Sequence, residues 1–376
     1  MRNTAAWVKP TQLGNPPIDS EVLTMRIDEE RLNQLLERAV SDFGAAWHAP
    51  LVVIGDRLGL YRALAENGPL NSAELAARTQ THERYVREWL RAQAAGGYVS
   101  YDPDAERYYM SPEQSMVLAN EDSPAFLIGA FQGAVAGLLA TPKIEAAFRS
   151  GTGVGWDEHD AELFHATERL FRPGYAEYLV RDWIPALDGV ADRLVSGTRV
   201  ADIGCGFGAS TILMAQAFPA SSFTGYDYHE NSIRIATERA RGAGVADRVH
   251  FEVAGAKTYR GRDYDLVAAF DCLHDMGDPV GVAAHVLETL GPEGSWMIVE
   301  PFANDRVEDN LNLVGRAFYS ISTMVCTPCS LAQEVGLGLG AQAGEARLRE
   351  VVNEGGFRTF QRVAQTPFNL IFEARP

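Results

Sequence analysis

The spacing of apolar residues changes part-way along this chain, and the change divides it. Over residues 28–47, "DEERLNQLLERAVSDFGAAW", Leu32, Leu35, Leu36, Ala39, Phe43 and Trp47 recur at helical spacing. A second apolar helix is expected over 48–66, through "LVVIGDRLGLYRAL". The stretch from "GPLNSAELAARTQTHERYV" to "GGYVSYDPDAERYYMSP" predicts a short helix, a turn, a helix starting near Thr81, and two aromatic strands around an Asp-Pro turn. Residues 113–150 read as helix again, up to the Gly-rich hinge "GTGVGW" at 151–156.

From about residue 195 the pattern alternates. "RVADIG", "SFTGYD", "VHFEVAG", "YDLVAAFD" and "GSWMIVEP" read as strands, and "STILMAQAF", "NSIRIATERARGAG" and "VGVAAHVLETL" as the helices between them. Apolar strands alternating with helices predict an α/β domain with a parallel, doubly wound, Rossmann-like sheet. The front region has the order of a winged helix. The expected organisation is an N-terminal arm (1–27), a helical and winged-helix domain (28–150), a helical linker or lid (151–194) and the sheet domain (195–376).

Composition narrows the function. The chain has 376 residues, 46% hydrophobic and 22% charged, enough for two domains with their own cores. A formal net charge of −17 repels a phosphate backbone, so nucleic acid is not an expected partner. There is no apolar run of membrane-spanning length, and the polar start does not read as a signal peptide. Four cysteines do not suggest a disulfide framework, and the expected location is the cytoplasm. "CTPC" at 326–329 is a lone pair of thiols without histidines at ligand spacing, so no metal site is expected. "GLGLGAQAG" at 336–344 lacks the lysine and hydroxyl of a phosphate loop and reads as a flexible loop.

The chemistry gathers at "VADIGCGFGAS", 200–210, which places Gly204, Gly206 and Gly208 after a strand and Asp202 ahead of them. Glycines in a strand-to-helix turn permit positive φ and close approach of a ligand to the backbone. The spacing also satisfies the dinucleotide fingerprint through Gly204, Gly206 and Ala209, so a dinucleotide-dependent oxidoreductase is one reading. Asp202, the third glycine two residues after the second, and the polar segment "FDCLHDMGDP" at a strand end favour another.

These segments, with "GYD" and "GPEGSWMIVEP", resemble the class I S-adenosylmethionine-dependent methyltransferases. Together with the winged-helix-like front, they resemble the small-molecule O-methyltransferases, including a bacterial branch also labelled transcriptional regulator. The resemblance covers about residues 28–376. It implies S-adenosylmethionine as cofactor, held by Asp202, the turn Gly204, Gly206 and Gly208, Asp227 on the ribose, Tyr228 against adenine, Ala256 and Lys257 near the adenine amine, and Phe270 and Asp271. It implies a homodimer, and His274 as a base oriented by Glu300. Asp275 is expected to cap its loop.

A hydroxyl acceptor needs its proton removed as the methyl arrives, and a neutral imidazole suits that near neutral pH. A small aromatic or apolar hydroxyl compound is the expected acceptor, with a thiol or an amine as other options. His165, Tyr175, Tyr178, Tyr319 and Cys326 are candidate acceptor contacts, although aromatic residues at helical spacing commonly serve a core. The alternative function is a winged-helix DNA-binding regulator using Arg84, Arg87 and Arg91. Glu83 and Glu88, spaced to pair with Arg87 and Arg91, weaken that reading.

Overall fold

The computed structural model describes residues 27–376, so all but the last residue of the expected arm lies outside it. Two compact units emerge. One runs through the front of the chain to Leu139 and adds Asp160–Gly174; the other gathers Ala140–His159 and Tyr175–Pro376. Residues 140–159 join the sheet unit because Ala140, Ile144 and Val154 pack with Met324. Residues 160–174 join the front unit, where Arg169 reaches Asp56, Gln132 and Glu121.

In the front unit α1 (Glu29–Arg57) starts at Asp28, whose carboxylate accepts from the backbone N–H of Glu30 and Arg31. The expected division near residue 47 does not occur, and α1 continues through Pro50. Burial outweighs the proline here. Val52 and Val53 are in the core, and Gly55 lets Trp89 and Tyr61 approach to where a Cβ would stand. The break comes instead at Gly59, at φ 69°, ahead of α2 (Leu60–Asn67).

A reciprocal Asn71–Glu74 capping box opens α3 (Ser72–Thr79), and His82 caps α4 (Glu83–Ala95). The wing is β1 (Ser100–Asp102) paired antiparallel with β2 (Arg107–Tyr109), and a bridge from Leu70 to Tyr108 ties it to the helices. α5 (Pro112–Leu118) and α6 (Ile128–Leu138) complete this winged-helix arrangement. On α4, Arg87 pairs with Glu83 as expected, whereas Glu88 is taken by Arg84, one turn back, rather than by Arg91.

In the sheet unit, α7 (Thr141–Ser150) comes first, and the end of α8 (Glu162–Tyr178) leads through α9 (Ile184–Ala186) and α10 (Val190–Ser196) into the sheet. Then follow β3 (Arg199–Ile203), α11 (Ala209–Ala217), β4 (Ser222–Asp227), α12 (Glu230–Gly242), β5 (Val249–Val253), β6 (Tyr264–Phe270), α13 (Pro279–Thr289) and β7 (Leu290–Pro301). After β7 come α14 (Leu313–Ile321), α15 (Thr327–Leu331), α16 (Gly344–Glu354), β8 (Thr359–Gln365) and β9 (Asn369–Arg375).

The strand order is β5-β4-β3-β6-β7-β9-β8. The first five strands are parallel, as expected, but β9 and β8 are antiparallel, so the sheet is mixed rather than wholly parallel. Strand order reverses between β3 and β6. Their carboxyl ends therefore border a crevice, the place where open α/β sheets bind ligands.

Candidate active site

The turn after β3 holds its shape through backbone bonds. Gly204 and Cys205 donate to the Tyr226 carbonyl, and Gly208 donates to that of Cys205. All three glycines have positive φ, but their surroundings differ. A Cβ on Gly208 would stand 2.6 Å from Phe251, so that glycine serves helix–sheet packing. A Cβ on Gly206 would meet nothing within 4 Å, so the backbone there faces open space.

Carboxyl groups surround this turn. Asp202 is 1% exposed; its Oδ2 accepts from Ser210 (2.7 Å) and Thr211 (2.6 Å), while Oδ1 has no partner. Burial lifts Asp202 to about 6 despite those two hydroxyls. Asp227 accepts from the Gly206 N–H (3.0 Å) and the His229 N–H (2.8 Å), which hold it at the end of β4. Burial raises its proton affinity as well. Tyr228 stands exposed next to it.

On the other side of the crevice, His274 Nδ1 lies 2.7 Å from Glu300 Oε2, and the second carboxylate oxygen accepts from the Leu273 N–H. Both side chains are buried. Burial disfavours the imidazolium, but the adjoining Glu300 carboxylate, with a smaller contribution from nearby Cys326, holds His274 well above its ordinary range. The sequence expectation took the ring as neutral near pH 7; its pairing with Glu300 instead raises its affinity for a proton.

Residues 194–356 match a methyltransferase domain, and residues 46–120 an Rv2258c-like winged HTH domain. The chain carries a methyltransferase domain. Its likeness to 27-O-demethylrifamycin SV methyltransferase of Amycolatopsis mediterranei is 36% identity over 143 residues, covering 37% of this chain and 46% of that protein. With the ubiquinone biosynthesis O-methyltransferase of Bordetella bronchiseptica it is 31% over 157 residues, 39% of this chain and 62% of that one. The chain thus spans about half the length of the first relative and 62% of the second.

Solved structures extend the likeness in fold to both units. Mitomycin 7-O-methyltransferase MmcR aligns at a TM-score of 0.68 and 19% identity, over 92% of this chain and 100% of its own. Human N-acetylserotonin methyltransferase, solved in complex with SAM, aligns at 0.68 and 18%, over 94% and 99%.

Within the methyltransferase domain, several expected contacts take other partners. Lys257 is committed to ion pairs with Asp278 (2.8 Å) and Glu334 (3.0 Å), and the neighbouring Ala256 packs against the domain core. Asp275 does not cap its loop: its Oδ2 accepts from the indole N–H of Trp156 at 2.8 Å, and burial lifts it to about 6. The glycine-rich 336–344 segment is pinned rather than loose. Leu337 N–H donates to the Gly277 carbonyl, Gly338 N–H to Ser330 Oγ and Gly340 N–H to the His274 carbonyl.

The candidate acceptor contacts separate. Tyr175 reaches Asp271 (2.8 Å) and lies against Phe270, and Cys326 is buried near enough to His274 to act on it electrostatically. Tyr178 instead stacks on Trp183, and Tyr319 sits half-buried on α14, where its carbonyl accepts from Thr323. His165 is exposed and belongs to the front unit. Sequence reading missed Trp156, Ser210, Thr211 and Asn369. Ser210 and Thr211 carried a local signal, as hydroxyls in the first turn of the helix after the glycines; Trp156 and Asn369 meet the site through long-range folding alone.

Proposed function

We propose that this protein transfers a methyl group from S-adenosylmethionine to a small acceptor, in the first instance a hydroxyl compound. The observation that carries this reading is the buried His274–Glu300 dyad at the crevice whose opposite wall is the open Gly206 turn with Asp202 and Asp227. Asp202, with a buried oxygen lacking any partner, suits an ammonium or another donor of the methionyl part. Gly204, Gly206 and Gly208 would lie along the cofactor, Asp227 would accept from the ribose hydroxyls, Tyr228 would cover the adenine, and Phe270 and Asp271 would border the methionyl end. The bound cofactor supplies an electrophilic methyl group on a sulfonium.

The chain's own residues do the remaining work. Glu300 fixes the imidazole ring through Nδ1, leaving Nε2 to take the acceptor's proton. Proximity of acceptor and cofactor provides much of the rate. Relatives named for O-methylation support a hydroxyl acceptor; a thiol or an amine is tested in the same assays.

A homodimer fits the front unit. Leu35, Val40, Phe43 and Trp47 on α1 are each more than 60% exposed, an apolar stripe that a second copy would cover. Arg84 and Arg87 are engaged by acids on their own helix, which favours the enzyme reading over a DNA-binding regulator. Four free thiols suit the cytoplasm. The deciding test is calorimetry with S-adenosylmethionine and its demethylated product, followed by mass spectrometry of hydroxyl, thiol and amine candidates for a gain of one methyl. Binding of NAD with no binding of S-adenosylmethionine would refute the proposal.

A further inference from the structure

Asp271 ends β6 in an uncommon backbone state, at φ 50°, one of five non-glycine residues with positive φ among the described residues. Three segments hold it there. Its N–H donates to the Val299 carbonyl (2.7 Å), its Oδ2 accepts from the Tyr175 hydroxyl (2.8 Å), and its Oδ1 accepts from the Asn369 amide (2.8 Å). Tyr175 and Asn369 are buried, whereas Asp271 itself is only half-buried. Each oxygen has thus accepted one neutral donor and retains a further lone pair.

The charges around Asp271 are lopsided. The titratable groups acting on it are Tyr175 from α8, Glu300 from β7, and His274 from the loop after β6; Asp202 on β3 and Cys272 share the same surroundings. Among them only His274 can be positive. Among the described residues no lysine or arginine forms an ion pair with Asp202, Asp227, Asp271, Asp275 or Glu300, although such pairs are common elsewhere in the chain. His274 faces Glu300, whereas Asp202, Asp227, Asp271 and Asp275 have no cationic side chain paired with them, and a ligand that brings positive charge suits such a set. The unpartnered Oδ1 of Asp202, in the same crevice, independently points to a donor that the protein itself does not supply.

We propose that Asp271 is a specificity-determining residue that selects for positive charge on the bound cofactor, losing its proton to solvent when the sulfonium form binds and keeping it with the neutral thioether product. The proposal rests on the methyl-transfer reading above. S-adenosylmethionine carries a sulfonium, an ammonium and a carboxylate, net +1; after the methyl leaves, the sulfur is neutral and the net charge is zero. In the free site burial, and then the Glu300 charge, lift Asp271 to about 8, so it is mostly protonated at neutral pH. A nearby cation reverses that balance, which favours cofactor over product and promotes product release.

The test is calorimetry on the full chain at pH 7, with S-adenosylmethionine and S-adenosylhomocysteine in buffers of different ionisation enthalpy. Wild type should release roughly 0.5–1 proton on binding S-adenosylmethionine and clearly fewer on binding S-adenosylhomocysteine. Asp271→Asn should abolish the difference in proton release and lower the cofactor-to-product affinity ratio about 10-fold, with product affinity nearly unchanged. Tyr175→Phe, which removes one donor to the carboxyl, should move the proton release to higher pH, and this covers the case in which Asp271→Asn does not fold. Equal proton release for both ligands in wild type, or an unaltered difference in Asp271→Asn, overturns the proposal and leaves methyl transfer standing. No binding of either ligand overturns the methyl-transfer reading and this inference with it.

Discussion

His274 and Glu300 act as one buried unit, with 2.7 Å between Nδ1 and Oε2 and no more than 5% of either side chain exposed. The carboxylate raises the proton affinity of the ring, so turnover of a hydroxyl acceptor should climb with pH above the ordinary imidazole range. Glu300→Gln removes the anion; the rising limb should then shift about 1–2 units towards acid, with a plateau roughly 10–100-fold lower. His274→Ala should cost about 10²–10⁴-fold while cofactor affinity stays nearly intact. Rate profiles of the three proteins against pH check this, and a limb that stays in place in Glu300→Gln would exclude the dyad as its origin.

Asp227, proposed to accept from the ribose hydroxyls, is held by two backbone N–H groups at the end of β4. Asp227→Ala should weaken S-adenosylmethionine and its product alike, by about 10- to 150-fold, the equivalent of roughly 1.5–3 kcal/mol for a charged hydrogen bond. Calorimetry measures both ligands. Loss for one of them alone would place Asp227 away from the ribose, which the two share.

Stability of the ligand-free protein should fall as pH rises from mildly acidic to alkaline. Asp202 and Asp275 are lifted to about 6 and Asp271 to about 8, each from an unfolded value near 3.8. The native state therefore binds more protons than the unfolded chain across this window, and deprotonation favours unfolding. Glu74 and Glu83, held low by Arg107 and Arg87, act oppositely in more acidic solution. Thermal melts should peak near about pH 5 and decline towards about pH 8, with a smaller decline in saturating S-adenosylmethionine. A melting temperature that rises from pH 5 to 8 would contradict the assignment.

Phe43 and Trp47 stand 66% and 69% exposed on α1, with ring centroids 6.5 Å apart. Replacing both by glutamate should convert a homodimer to monomer at micromolar concentration without unfolding the front unit, since neither side chain belongs to its core. Light scattering with circular dichroism checks this, and a wild-type monomer would count against the dimer.

Much of the architecture was legible because its signals are local. The alternation of apolar strands and helices, the glycine turn and the acids at β-strand ends are properties of short windows, and all occupy the expected places. The family resemblance implied Glu300 as the partner of His274, and the fold brings the two to 2.7 Å. Other features lay beyond any window. Pro50 should break a helix, yet α1 passes through it because Val52 and Val53 are buried. The flexible reading of 336–344 failed because its backbone amides bond to Gly277, Ser330 and His274.

Sequence alone determined the doubly wound core, the crevice at its switch point and the residue types that line it, since strand period and turn chemistry are set by neighbours along the chain. Tertiary structure alone decided the charge state of that crevice. Asp271 is held by Tyr175 and Asn369, 96 and 98 residues away, and Asp202 keeps one oxygen unpartnered within the fold. Proton affinity depends on burial and on which charges lie within a few ångströms, and both exist only once distant segments have packed together.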